Sequence, residues 1–131
     1  MRARLHGQHG STAELVVVFP FVIFTLLLVV QFALWYHAGH VAQAAAQEGA
    51  RVARLSSSDP AGQRQLGADQ AWAFLRGMGA FDDKQVTASG SVDTARVDVA
   101  GTAPSLVPGL RLRIHEHSEG PVERFRPENG R

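Results

Sequence analysis

Two places in the sequence hold side chains whose chemistry asks for an explanation. The first is Glu14, a carboxylate followed directly by the 21 residues Leu15 to Trp35, which are interrupted only by Pro20, Thr25 and Gln31. An ionised carboxylate at the edge of hydrocarbon is costly unless partnered, so its position points to a cation on another chain, such as a free α-amino group. The alternative is a side chain that reaches back to headgroup water and gains about 0.3–1 kcal/mol from the positive end of its own helix. The second place is His115-Glu116-His117. On a strand its two histidines share a face, but a metal site takes three or four convergent ligands with supporting partners, and no fixed spacing supplies the others. No metal and no cofactor are expected. With no cysteine in the chain, disulfides, thiolate ligands and cysteine nucleophiles are excluded. Nucleophile-elbow, phosphate-loop and zinc-protease motifs are absent as well, and so short a soluble portion has poor means of building a dry pocket, so no enzyme is expected. Thirteen basic and twelve acidic residues are scattered without a stripe, which argues against nucleic acid as a partner.

The element that positions Glu14 is the apolar run itself. As a helix it extends about 31 Å and matches the thickness of bilayer hydrocarbon. A basic leader, residues 1–14, carries Arg2 and Arg4, so the positive-inside bias places the N-terminus in the cytoplasm and everything after the span, 15–36, outside. Trp35 and Tyr36 then fall where an interfacial aromatic anchor belongs. A cleaved secretory signal ending at Ala42-Gln43-Ala44 is the rival reading, and its apolar stretch is longer than the usual run of about 7–15 residues. Pro20 deletes the hydrogen bond to Val16 and favours a bend. Gln31, near the outer leaflet, either bonds across to a second helix for roughly 0.6–2 kcal/mol or is tolerated at the interface.

Beyond the span, residues 37–55 are alanine-rich and free of proline, so the helix continues as a stem. Ala38, Ala42, Ala46, Gly49 and Ala53 fall on one stripe and His40, Gln43, Gln47, Arg51 and Arg54 on another. The small stripe suits close packing beside neighbouring subunits or beneath a small domain. Glu48 and Arg51 stand three apart and form a helical pair worth about 0.2–0.5 kcal/mol. Gly49 in mid-helix costs about 0.8–1 kcal/mol relative to alanine, which a close contact at that point would explain.

Asp59 and Pro60 read as the N-cap and first residue of a second helix, with Ala61, Ala68, Ala71, Trp72, Leu75 and Met78 on its apolar side and Gly77 and Gly79 ending it. After Phe81 the period changes to two: strands at 85–89, 95–102 and 110–115, with a loop at 103–109. Leu110, Leu112 and Ile114 are expected inward, and Arg111, Arg113 and His115 outward. The small α+β outer domain thus runs from 56 to 117, and a tail at 118–131 is expected to be disordered.

"GSTAELVVVFPF" at the start of the span and "AAAQEGARVA" in the stem together resemble the TadE-like family of the tight-adherence (Tad/Flp) pilus machinery, over residues 10–55. The resemblance implies a pilin-like fold, a non-catalytic pseudopilin role in pilus assembly, adhesion or secretion, and partners among other Tad pilins and the inner-membrane assembly platform. It implies docking through Glu14, with Pro20 and Gln31 in the same helix, and stem packing through the signature around Ala46, Glu48, Gly49, Ala50 and Arg51. It further implies processing by a prepilin peptidase between Gly10 and Ser11. Glu14 would then be the fourth residue of the processed chain where the family's usual pattern has the fifth, so a cut after His9, an unfavourable residue there, and an uncut anchor stay open beside it. The reading from another class is a membrane-tethered or secreted extracytoplasmic binding module unrelated to pili.

Overall fold

The computed structural model describes residues 9–55 and 58–123, with the backbone alone for residues 9–13. Its spine is α1, His9–Ala53, an unbroken helix of 45 residues and about 67 Å. Pro20 lies inside it, and Thr25 Oγ1 donates to the carbonyl of Phe21 at 2.8 Å in the same stretch. Helix therefore begins five residues before the expected end of the leader; the leader's first eight residues lie outside the described ones.

After the end of α1 the chain turns back into α2, Pro60–Arg76. Asp59 caps it: its Oδ1 accepts the Gly62 N–H at 3.0 Å, while Pro60 occupies the first turn, where a missing N–H costs nothing. Gly77 closes the helix in right-handed geometry, its N–H turned to the carbonyls of the last turn. The buried side of α2 is Gly67, Ala68, Ala71 and Leu75, with Trp72 and Phe74 half-buried at its margins. Two residues expected on that side, Ala61 and Met78, are exposed because they lie at or beyond the helix ends, past the reach of α1.

Three strands follow as an antiparallel meander: β1 (Asp82–Gly90), β2 (Thr94–Thr102) and β3 (Arg113–Pro121), in the order β1-β2-β3. Ala95, Val97 and Val99 of the central strand are fully buried, and Phe81 and Leu75 complete the hydrophobic centre above the α1 stem. The architecture is α+β with a pilin-like layout: a long helix, half bare and half roofed by a short helix and a small sheet.

The third strand departs from expectation. Leu110 to Leu112 precede it, and it extends through Ser118-Glu119-Gly120-Pro121, the start of the expected tail. These four residues are too polar to signal a strand, but they pair with Val97, Arg96, Ala95 and Thr94 of β2. The Arg54 side chain lies flat on Gly120, and the Glu123 N–H donates to the Arg54 carbonyl at 2.8 Å. Tertiary pairing thus supplies the order that composition withholds. The alternation itself is as expected, with Ile114 buried and Arg111, Arg113 and His115 exposed. The rest of the expected tail, 124–131, lies outside the described residues.

Candidate assembly surface

From Glu14 to Tyr36 the helix is almost bare. Phe21 is 69% exposed, Val16 66% and Leu15 63%. By length and composition this helix is able to cross a membrane, and its inner part, residues 14–27, is exposed throughout. Glu14 is exposed at the head of this surface, and no cation among the described residues pairs with it. Leu15, Val18, Phe19 and Val22 form the apolar flank beside its carboxylate. Gly10 and Ser11, the expected processing pair, belong to the first turn of α1.

Gln31 is unlike the rest of the span, being fully buried. Its Nε2 donates to the Pro104 carbonyl at 2.9 Å, and its Oε1 accepts the Leu106 N–H at 2.7 Å. Both ends of the amide are thus taken up by the chain's own β2–β3 loop. Of the two readings open to Gln31, a bond to a second helix and tolerance at the interface, neither describes this contact: the outer domain reaches down the helix and occupies the amide. One turn further out, Trp35 Nε1 donates to the Arg113 carbonyl at 3.2 Å, so the same loop is fastened at both of its ends to α1. Nothing local in the sequence signals this, since the partners are 73 to 78 residues apart.

The stem's small stripe is roofed by its own domain. Ala38, Ala42, Ala46 and Ala50 are fully buried, with Val41, Ala45 and Ala53 beside them. At the crossing of the two helices, a Cβ added to Gly49 would lie 2.6 Å from the Gly67 carbonyl oxygen and 2.9 Å from Ala71 Cβ; one added to Gly67 would lie 2.6 Å from the Gly49 carbonyl oxygen. Two glycines facing each other let the helix backbones touch. Of the two packings open to this stripe, the structure uses the intramolecular one, and Ala46, Gly49 and Ala50 are not on the outer surface. Glu48 and Arg51 are: Arg51 Nη2 meets Glu48 Oε1 at 2.7 Å on the exposed side of the rod. The signature thus has a buried half that seats the domain and a charged half at the domain's edge, where Glu48 and Arg51 line a shallow groove with Phe74 and Ser118. Gly67, which sequence reading gave no role, is the residue that completes the crossing.

The outward face of the sheet carries a charged cluster. Arg96 grips Asp98 through two hydrogen bonds of 2.9 and 2.7 Å, with Glu119 3.5 Å from Arg96 and His115 3.5 Å from Asp98. The hydrogen bonds from Arg96 hold the Asp98 carboxyl below the usual carboxylate range, against the opposing effect of partial burial. His115 and His117 share this face, but among the described residues no group of three metal-ligating side chains converges.

No curated protein and no solved structure matches the chain. One family model does: over residues 10–51, the bare span and the roofed stem up to Arg51, the chain is similar to the family described as TadE-like protein.

Proposed function

We propose that the chain is a non-catalytic, pilin-like (pseudopilin) membrane subunit of a Tad/Flp-type pilus assembly or a related secretion apparatus. The observation that carries the reading is the coincidence of the TadE-like match with an apolar helix whose carboxylate, Glu14, has no cation of its own among the described residues. Hydrophobic anchoring holds the subunit in the cytoplasmic membrane, N-terminus inward, with the outer domain on the extracytoplasmic side. Glu14 then gains its counter-ion from a partner helix at the membrane threshold, a contact made on assembly. Sister or major pilins and the inner-membrane platform are the partners, and a prepilin peptidase is one more if Gly10 and Ser11 are separated.

The stem weighs against the secreted alternative. A cut after Ala44 would remove Ala38, Val41 and Ala42 from the core beneath the sheet. A photo-crosslinking residue at Val18, beside Glu14, tests the proposal in native membranes. Protein adducts are expected with small apolar helical subunits, and their yield falls about tenfold in Glu14→Gln, as loss of a charge-assisted contact predicts. Adducts to lipid alone, or a yield indifferent to Glu14, would remove the docking role. The intact mass of the membrane-extracted chain separates processing after His9 or Gly10 from an uncut anchor.

A further inference from the structure

The β2–β3 loop, residues 103–112, hangs below the sheet along the side of α1, and its position on the helix fixes its depth. The loop binds Gln31, four residues and about 6 Å closer to the middle of the apolar run than Trp35. Trp35 itself marks the level at which the chain leaves the loop for β3, through its bond to the Arg113 carbonyl. A loop that ends beneath the aromatic level of a spanning helix is inside the boundary of the bilayer. From the membrane-spanning reading of α1, on which this step rests, we infer that residues 104–110 are a lipid-contacting foot of the outer domain, inserted into the interfacial zone of the outer leaflet.

The chemistry of the loop fits that occupant. Pro-Ser-Leu-Val-Pro-Gly-Leu carries no charge, and Leu106 points outward, 48% exposed. Internal partners ease the burial of backbone where hydration is poor. Pro104 and Pro108 have no N–H to satisfy, the Leu106 N–H is on Gln31, and the Leu110 N–H is on the Val107 carbonyl at 3.1 Å, while the N–H groups of Ser105, Val107 and Gly109 are left to the water of the interfacial zone. Ser105 Oγ lies 2.7 Å from the carbonyl oxygens of both Val107 and Leu110. Immediately above the apolar segment stand Arg111 and Arg113, both exposed, at the height where lipid phosphates meet long basic side chains. An apolar tip, an uncharged proline-containing backbone and a basic collar form one vertical sequence, matched to acyl chain, glycerol and phosphate.

Because the chain has no cysteine, single cysteines can report depth without background. Leu106→Cys, labelled with an environment-sensitive fluorophore in phosphatidylcholine/phosphatidylglycerol nanodiscs, is expected to be quenched several-fold more by lipids spin-labelled near the glycerol than the same label at Ser89→Cys, on the far end of β1. Aqueous iodide should give the reverse order. A label at Val22→Cys, quenched by spin labels deep in the acyl chains, establishes separately that α1 spans. If Val22 behaves as buried in lipid while Leu106 is quenched by iodide like Ser89, the foot is disproved and the span stands. If Val22 is not quenched by deep labels, the spanning reading falls first. A Leu106 label shielded from both lipid and iodide would mean a protein contact there and would equally overturn the inference. The same measurements at Val107→Cys guard against a label that has disturbed the loop.

Discussion

At the scale of single residues, the side chain that does most is Gln31. A glutamine in a spanning helix reads, from sequence, as a bond to another helix or as a tolerated blemish; here its amide mimics a backbone peptide and receives the loop as a strand would. Gln31→Leu leaves the Leu106 N–H and the Pro104 carbonyl without their partner, at a cost of about 1–3 kcal/mol. The expected readout is faster amide hydrogen exchange at Leu106 with exchange in β2 unchanged; equal protection in both forms would show that the loop is held by something else. Asp98 offers a second residue-level prediction. Its folded pKa is depressed, so its pairing stabilises fully above the unfolded carboxylate value, about 3.9, and the contribution is lost as pH falls through the lower folded value. Asp98→Asn should therefore be less stable than the parent at neutral pH, and the difference should shrink on acidification below pH about 4, as followed by urea midpoints. The pair stands at the sheet surface, so the difference is small.

At the scale of elements, the structure turns on the contact of two helices. That Gly49 marks a close approach was readable, because a glycine inside an alanine-rich helix has a cost that packing must offset. Its partner was not readable, since α2's periodicity presents Gly67 as one more small residue. Gly49→Val should destabilise the outer domain by about 1–3 kcal/mol, because the obstacles are the Gly67 backbone and Ala71 and neither can rotate away. Gly67→Val should do the same, and the double variant should cost less than the sum, since one separation of the helices relieves both clashes. Thermal unfolding followed by near-ultraviolet dichroism checks each. The strands show the same division of what was legible. Alternation of Val97 and Val99 with Arg96 and Asp98, and the inward Ile114, were assigned correctly because they are local properties of the chain, whereas Leu110 and Leu112 lie half-buried ahead of β3. The extension of β3 through Pro121 depends on β2 and Arg54, which no window of sequence contains.

For the whole molecule, the stem is at once the continuation of the anchor and the floor of the outer domain. Ala38, Val41, Ala42, Ala45, Ala46 and Ala50 contribute to the same core as Leu75, Phe81, Val97 and Val99. A fragment beginning at residue 45 should therefore lack a cooperative thermal transition, while one beginning at residue 37 should keep it; a cooperative transition in the shorter piece would show that the sheet and α2 suffice alone. The layout was legible in outline because a long apolar run, an alanine-rich extension and a change of period to two each leave a local trace. The burial of the stem under its own roof was one of two possibilities, and the fastening of the β2–β3 loop to α1 left no trace at all.

One mechanical property comes with a continuous rod clasped along its outer half. Since α1 runs on from Pro20 to Ala53 without another proline and the outer domain is gripped at Gln31, Trp35 and Arg54, no joint separates the outer part of the span from the head. Torque or tilt imposed on the span beyond Pro20 by a neighbouring molecule would swing the β1–β2 turn as the end of a stiff lever, so that rearrangement in the plane of the bilayer is reported far outside it.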